Sequence, residues 1–314
     1  MIPHLGPDDT YEDTLNPSAR WTGRLLRPLA WRLRGAMGMS RNVLVELRWR
    51  LGDEIMARPV VEALIAQSPH DCVWLWTHYP ELFADLIPSE RLNSMPSAVH
   101  RYLYLRSGPR QGYRPEHYAR LAGVPLPVSP PAIPAGGLSA ALGRRLSQTS
   151  RPRIALAPGA SWPSKRWPRA SWEDLNQALQ AQGLSTLVLG QGGEGVNGAG
   201  LNLVGETSPA DAAGILAQCD AAVTCDSGLM HLALAVGIPV VGLFGPTDPE
   251  FLVRSPLLHP VSNGLPCAGF WNRADSVPPP GVCACGRETC LEPISPALVL
   301  ETVARALSSG LDRQ

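Results

Sequence analysis

The sequence predicts an α/β fold with parallel sheets, divided between two domains. Three observations predict it. Short apolar runs of strand length alternate with segments of helical period, the pattern of βαβ units. The chain is 314 residues long with 45% apolar residues, which suits two ordinary domains with real cores. A proline-rich stretch at 124–137, closed by Gly136 and Gly137, separates an irregular first half from a regular second half. The expected layout is a leader at 1–40, one domain at 41–148 and a second at 149–314.

In chain order, residues 1–19 are polar and residues 20–36 carry five arginines and no acid, with Trp21, Leu25, Leu29 and Leu33 spaced at four. This basic amphipathic segment could touch an anionic membrane face, or pack on the body with its arginines in water. A strand is expected over 43–47, then a loop ending in Gly52-Asp53, then a helix to about 67. A lone Asp53 in that position also reads as a simple helix cap. Strands at 72–76 and 99–105 and helices at 80–87 and 114–122 complete the first half.

The second half starts with a strand at 154–157 and the loop PGASWPSKRWP. A helix over 171–182, a strand over 184–189 followed by GQGGEG, a short apolar run at 202–204 and a helix over 208–218 follow, with Ser208 as its cap. Next comes DAAVTCDSGLMHLALAVGIPVVGLFGPTDP, residues 220–249. It reads as strand (221–225), tight turn (Asp226-Ser227-Gly228), helix (229–236), Gly237 at a C-terminus that wants φ > 0, and strand (239–244). A last helix is expected near 296–307.

Composition narrows the function. Formal net charge is zero, which argues against wholesale nucleic-acid binding. There is no apolar run long enough for a transmembrane helix and no signal-peptide pattern at 1–20, so the expected location is cytoplasmic. No GxxxxGK[ST] is present, and neither a P-loop NTPase nor a nicotinamide enzyme is expected. Of 27 basic residues 26 are arginine; the single lysine is Lys165. In a chain that so favours arginine, one ammonium suggests a site needing a compact point charge.

In a parallel sheet the loops after 157, 189, 225 and 244 leave at one edge. Ser161, Lys165, Glu194, Asp226, Ser227, Gly228 and His231 therefore share a rim. An ammonium, a hydroxyl and a helix N-terminus suit a diphosphate, and a nearby carboxylate suits ribose hydroxyls.

Together, PGASWPSKRWP, CDSGLMHLALAVGIPVVGLFGPTDP and the early strand–LGD–helix resemble glycosyltransferase family 9, the ADP-heptose:lipopolysaccharide heptosyltransferase family. The resemblance covers about residues 41–305 and is densest in 151–250. It implies a GT-B architecture, with two Rossmann-like domains facing a cleft. It also implies inverting, metal-independent heptose transfer from a nucleotide-diphosphate sugar, ADP-heptose, to a lipopolysaccharide-core or other surface-glycan acceptor. No catalytic cofactor is implied. By motif, Asp53 matches the general base and Lys165 the phosphate-binding lysine. Ser161 matches a phosphate-contacting hydroxyl, Asp226, Gly228 and His231 the D-[ST]-G-x-x-H donor site, and Glu194, more loosely, a ribose-binding acid. Asp226 is expected to bond sugar hydroxyls, since a carboxylate would repel phosphate. The sequence departs from the family before Gly52, where Arg48-Trp49-Arg50-Leu51 replaces small hydroxyl residues.

Four of the seven cysteines cluster: Cys267, Cys283, Cys285 and Cys290. Their spacing is not that of paired CxxC motifs. In a cytosolic chain a structural zinc or iron site is the first reading, free thiols the second and disulfides the third. Cys72, Cys219 and Cys225 are expected as core thiols. Other functions consistent with the sequence are a protein O-heptosyltransferase with a four-cysteine metal site, a GT-B sugar-nucleotide epimerase and a catalytically silent binding protein.

Overall fold

The computed structural model describes residues 40–106, 112–125, 130–262, 264–273 and 285–311. The basic segment at 20–36, and with it the expected membrane contact, lies outside the described residues.

Two parallel sheets form the frame. In the first, β1 (Asn42–Glu46) lies between β2 (Cys72–Trp76) and β3 (Arg101–Tyr104). The second has six strands: β4 (Arg153–Ala157), β5 (Ser185–Val188), β6 (Leu201–Asn202), β7 (Ala221–Cys225), β8 (Val240–Phe244) and β9 (Leu258–Ser262). Their order is β6-β5-β4-β7-β8-β9, and every pairing is parallel. All of β7 and β8 is buried, as expected of central strands covered on both faces. β9 was not expected, because His259 and Pro260 interrupt a short apolar run; it is an edge strand, where proline is tolerated.

Helices cover the sheets. α1 (Leu51–Gln67) and α2 (Arg114–Ala122) belong to the first half. α3 (Ala140–Ser147) follows the proline-rich stretch and was not expected; the Ser139 hydroxyl caps it by accepting from Leu142 N–H at 3.3 Å. α4 (Arg169–Ala181), α5 (Pro209–Leu216) and α6 (Gly228–Ala235) follow β4, β6 and β7 of the second sheet. α7 (Pro249–Leu252) and α8 (Phe270–Arg273) are single turns, and α9 (Pro296–Leu311) closes the chain. Ser208 and Asp211 form a reciprocal capping box at the start of α5, as its sequence anticipates. Gly237 has φ +89° and ends the α6 segment.

The helix expected at 80–87 is only a 3-10 turn, Pro80–Leu82. Asp85, just beyond it, is drawn to the guanidinium of buried Arg58, which also donates to the Leu82 carbonyl. Arg58 also donates to Ala132 O at 2.7 Å, and Ile133 N–H to Ala235 O at 2.9 Å. The proline-rich stretch is thus fastened to both halves. One apolar core runs between the halves, joining Ile55, Val60 and Tyr118 to Met230, Leu234 and Ile238. A second fills the opposite face of the large sheet under α4 and α9.

The cysteine reading needs correction. Cys267 and Cys285 form a disulfide. Cys290 is buried against Gly245. Cys283 lies outside the described residues. Among the described residues no group of three or more His, Cys, Asp or Glu side chains is placed to hold a metal. Cys219 and Cys225 are core thiols, as expected; burial pushes each up to about 12. Cys72 is only half-buried.

Candidate active site

The site lies where α1 meets α6. Both helices start at the C-terminal edge of their sheets, and two glycines let them approach. A β-carbon on Gly52 would lie 2.7 Å from His231 Cδ2, and one on Gly228 would lie 2.8 Å from Leu51 Cβ. Each motif's glycine therefore accommodates a side chain of the other motif.

A cleft of about 280 Å³ opens at this junction. Seven of the eight candidate residues line it: Asp53 from the first half, and Ser161, Lys165, Asp226, Ser227, Gly228 and His231 from the second. Glu194 lies in an adjoining cavity of about 470 Å³, which also reaches Ser161, Ser227 and Gly228. Its carboxylate packs against Gly159 and Gly190, where a β-carbon would collide with it, and accepts from Gln191 N–H at 2.9 Å. The run Gly190–Gly195 has G-x-G-x-x-G spacing, but it passes through turns to β6 and opens no helix. It therefore lacks the helix end on which a dinucleotide fingerprint depends.

Lys165 sits on a 3-10 turn, Pro163–Lys165. Its Nζ is 2.6 Å from Asp226 Oδ2 and 4.3 Å from the centre of the Trp162 ring. Trp162 in turn meets Trp271 edge to face at 4.6 Å. The Ser164 carbonyl accepts from Cys290 N–H at 3.1 Å and from the Thr289 hydroxyl at 3.2 Å, so the C-terminal segment fixes this turn. Asp226 Oδ2 also accepts from the Thr247 hydroxyl at 2.6 Å. Through Oδ2 the carboxylate thus holds Lys165.

Electrostatics follow from this geometry. Burial opposes the charge on Asp226, yet the Lys165 ammonium, His231 and the bonds from Lys165 and Thr247 together hold its carboxyl below the usual range. Burial pushes His231 down, against the pull of Asp226 and Asp53, so the imidazole is neutral near pH 7. Ser227 occupies the N-cap position of α6, but its side chain does not cap the helix. The buried hydroxyl has no hydrogen-bond partner among the described residues. A free hydroxyl beside a helix N-terminus is a ready anion site.

On the other side, Asp53 accepts a 3.2 Å hydrogen bond from the hydroxyl of fully buried Tyr118. Glu54, also buried, accepts from Trp49 N–H at 2.9 Å, from His78 N–H at 3.2 Å and from the Thr77 hydroxyl. It ties the loop before α1 to the end of β2. Burial raises its pKa, partly offset by those bonds. Sequence reasoning missed Tyr118, Glu54, Thr247 and Arg50. Thr247 and Arg50 lay in stretches already singled out, Glu54 adjoins Asp53, and Tyr118 is distant from both in sequence.

A family model described as glycosyltransferase family 9 (heptosyltransferase) matches residues 90–268, more than half of the chain. The chain belongs to glycosyltransferase family 9. The matched span includes every donor-side candidate and stops short of Asp53. Lipooligosaccharide heptosyltransferase 2 of Haemophilus influenzae is 38% identical over 32% of this chain and 33% of its own length. Lipopolysaccharide heptosyltransferase 2 of Escherichia coli is 36% identical over 35% of each. The matched segment thus spans about a third of these curated relatives.

Solved structures show the fold. The E. coli ADP-heptose lipopolysaccharide heptosyltransferase II superposes with TM-score 0.60 at 20% identity, covering 85% of this chain and 99% of that one. The iron-containing dodecameric glycosyltransferase TibC of enterotoxigenic E. coli gives 0.68 at 16%, covering 86% and 77%. The family 9 member therefore has the GT-B fold, with two parallel sheets facing one cleft.

Proposed function

We propose that this chain is an inverting, metal-independent glycosyltransferase that moves heptose from ADP-heptose to a hydroxyl of the lipopolysaccharide core or another surface glycan. The observation that carries the reading is the convergence of two kinds of group on one cleft. A carboxylate, Asp53, comes from one half; Lys165 and the open end of α6 with its unpartnered Ser227 hydroxyl come from the other. The names of the relatives support heptose as the transferred sugar, and a complex of TibC is described as holding ADP-D-beta-D-heptose.

In this reading the nucleoside occupies the cavity bearing Glu194, and the diphosphate lies at Ser161, Ser227 and the start of α6. The sugar projects toward Asp53. An acceptor hydroxyl is too weak an acid to attack unaided, so Asp53 takes its proton as the oxygen bonds to the anomeric carbon. The bond from that carbon to the phosphate oxygen breaks, and its electron pair leaves with the diphosphate. Lys165 and the α6 N–H groups stabilise that charge, the task a divalent cation performs in other transferases. Base and leaving group on opposite sides of the sugar carbon lead to inversion. The setting proposed is the cytoplasmic face of the inner membrane. Among the described residues no helix is long and apolar enough to cross a membrane.

The test is incubation of the full chain with ADP-heptose and heptose-deficient core lipopolysaccharide, with ADP release and acceptor mass as readouts. A mass gain of one heptose is expected. Binding and turnover of a UDP- or GDP-sugar, with none of ADP-heptose, would overturn the donor assignment.

A further inference from the structure

The Lys165 ammonium is not a free charge. It lies 2.6 Å from Asp226 Oδ2, and both side chains are largely buried. The pair is close to neutral, so Lys165 brings a hydrogen-bond donor to the cleft but little net positive charge. A departing diphosphate gains negative charge as its bond to carbon breaks, and the partial charge of one helix end is about half a unit. A further cation beside the diphosphate would add to that stabilisation.

Arg50 is placed to be that cation. It immediately precedes α1, at the N-cap position, and its side chain makes no capping bond. Instead the guanidinium crosses from the first half to the second, and Nη1 donates to Ser161 Oγ at 2.6 Å. Among the described residues no carboxylate pairs with it. Arg50 borders the cleft with Asp53 and also the cavity with Glu194. Gly52, Ser161, Ser227 and Gly228 border both as well, and together they mark the neck between the two spaces. A molecule that fills both must pass this neck. There it meets the Ser227 hydroxyl and the α6 N-terminus on one side and the guanidinium on the other.

We propose that Arg50 is a catalytic residue, a cation reaching from the acceptor-side half to bind the donor diphosphate and stabilise it as it leaves. The inference rests on the nucleotide-sugar reading of the cleft. A guanidinium has five N–H donors in a planar fork, and the Ser161 hydroxyl takes one of them, which leaves others for a ligand in the neck. The ordinary alternative is a tether between the two halves that never touches ligand.

Titration calorimetry of the full chain with ADP, AMP and adenosine separates the two roles, alongside single-turnover donor cleavage. Arg50→Ala is expected to weaken ADP about ten- to a hundred-fold, the range for losing a charged hydrogen bond. Adenosine binding should be unchanged and donor cleavage slowed. Arg50→Lys should recover part of the loss. Arg50→Gln, which can still donate to Ser161, takes the place of the alanine variant should that one fail to fold. Equal ADP affinity in wild type and variant overturns the inference, as does an equal loss for adenosine and ADP, which marks a tether. Wild-type protein that binds no ADP overturns the donor reading itself, and this inference with it.

Discussion

Gly52 is packed against the imidazole of His231, so closely that a β-carbon would lie 2.7 Å from Cδ2. Gly228 stands in the same relation to Leu51. The two halves of the site are therefore registered against each other by two missing side chains, one in each motif. Gly52→Ala must push His231, and α6 with it, away from Asp53. We expect a stability loss of about 1–3 kcal/mol, as for an overpacked core, and a lower kcat. Thermal unfolding and initial rates check both; a variant with unchanged melting temperature and kcat would contradict this account of the glycine.

Asp226 is read as the group that holds Lys165. Asp226→Asn keeps the shape, but leaves a buried ammonium without its counter-charge, a change of about 3 kcal/mol or more for a buried pair. Donor affinity should fall as it does in Lys165→Ala, and the double variant should lose much less than the sum of the two. Additive losses, measured by calorimetry with ADP, would show that the two residues act separately.

Tyr118 orients Asp53 from beneath. Its hydroxyl is the one protein donor given to the carboxylate among the described contacts, and it has no access to solvent. Tyr118→Phe should lower kcat about ten-fold, the value of a hydrogen bond to a charged group, and leave donor KM unchanged. A change in donor KM alone would assign Tyr118 to packing.

His231 makes stability depend on pH. Burial lowers its native pKa below the ordinary 6.5, whereas the unfolded chain takes up its proton near 6.5. Between those values the unfolded state binds more protons, so stability is complete above about 6.5 and falls as pH drops toward the native value. Asp226, held below 3.8, adds a further loss only at lower pH, as the native carboxylate is at last protonated. The melting temperature should fall between pH 7 and pH 5, and His231→Gln should flatten the slope. His117, also lowered by burial, keeps some slope in the variant. Identical slopes in the two proteins would remove His231 from this role.

The strands and helices around the site were legible because their signals are local. β7, the turn at Asp226 and the φ of Gly237 follow from an apolar run, a polar break and a glycine. The common rim followed from parallel order alone. What was not legible depends on contacts far apart in sequence. Nothing local says that Asp226 is bonded to Lys165, or that Tyr118 reaches Asp53 across 65 positions. The helix expected at 80–87 had adequate propensity, but tertiary demand from Arg58 overrode it. The cysteine cluster reads as a ligand set in one dimension, and nothing local says that Cys267 pairs with Cys285.

The central claim is that Asp53 takes the acceptor's proton. Single-turnover kinetics of Asp53→Asn with ADP-heptose and an acceptor shown to work with wild type tests it most directly. Donor affinity is expected to stay near that of wild type and the chemical step to slow at least about 10²-fold, the lower range for losing a general base. Sugar transfer at the wild-type rate in Asp53→Asn would contradict it.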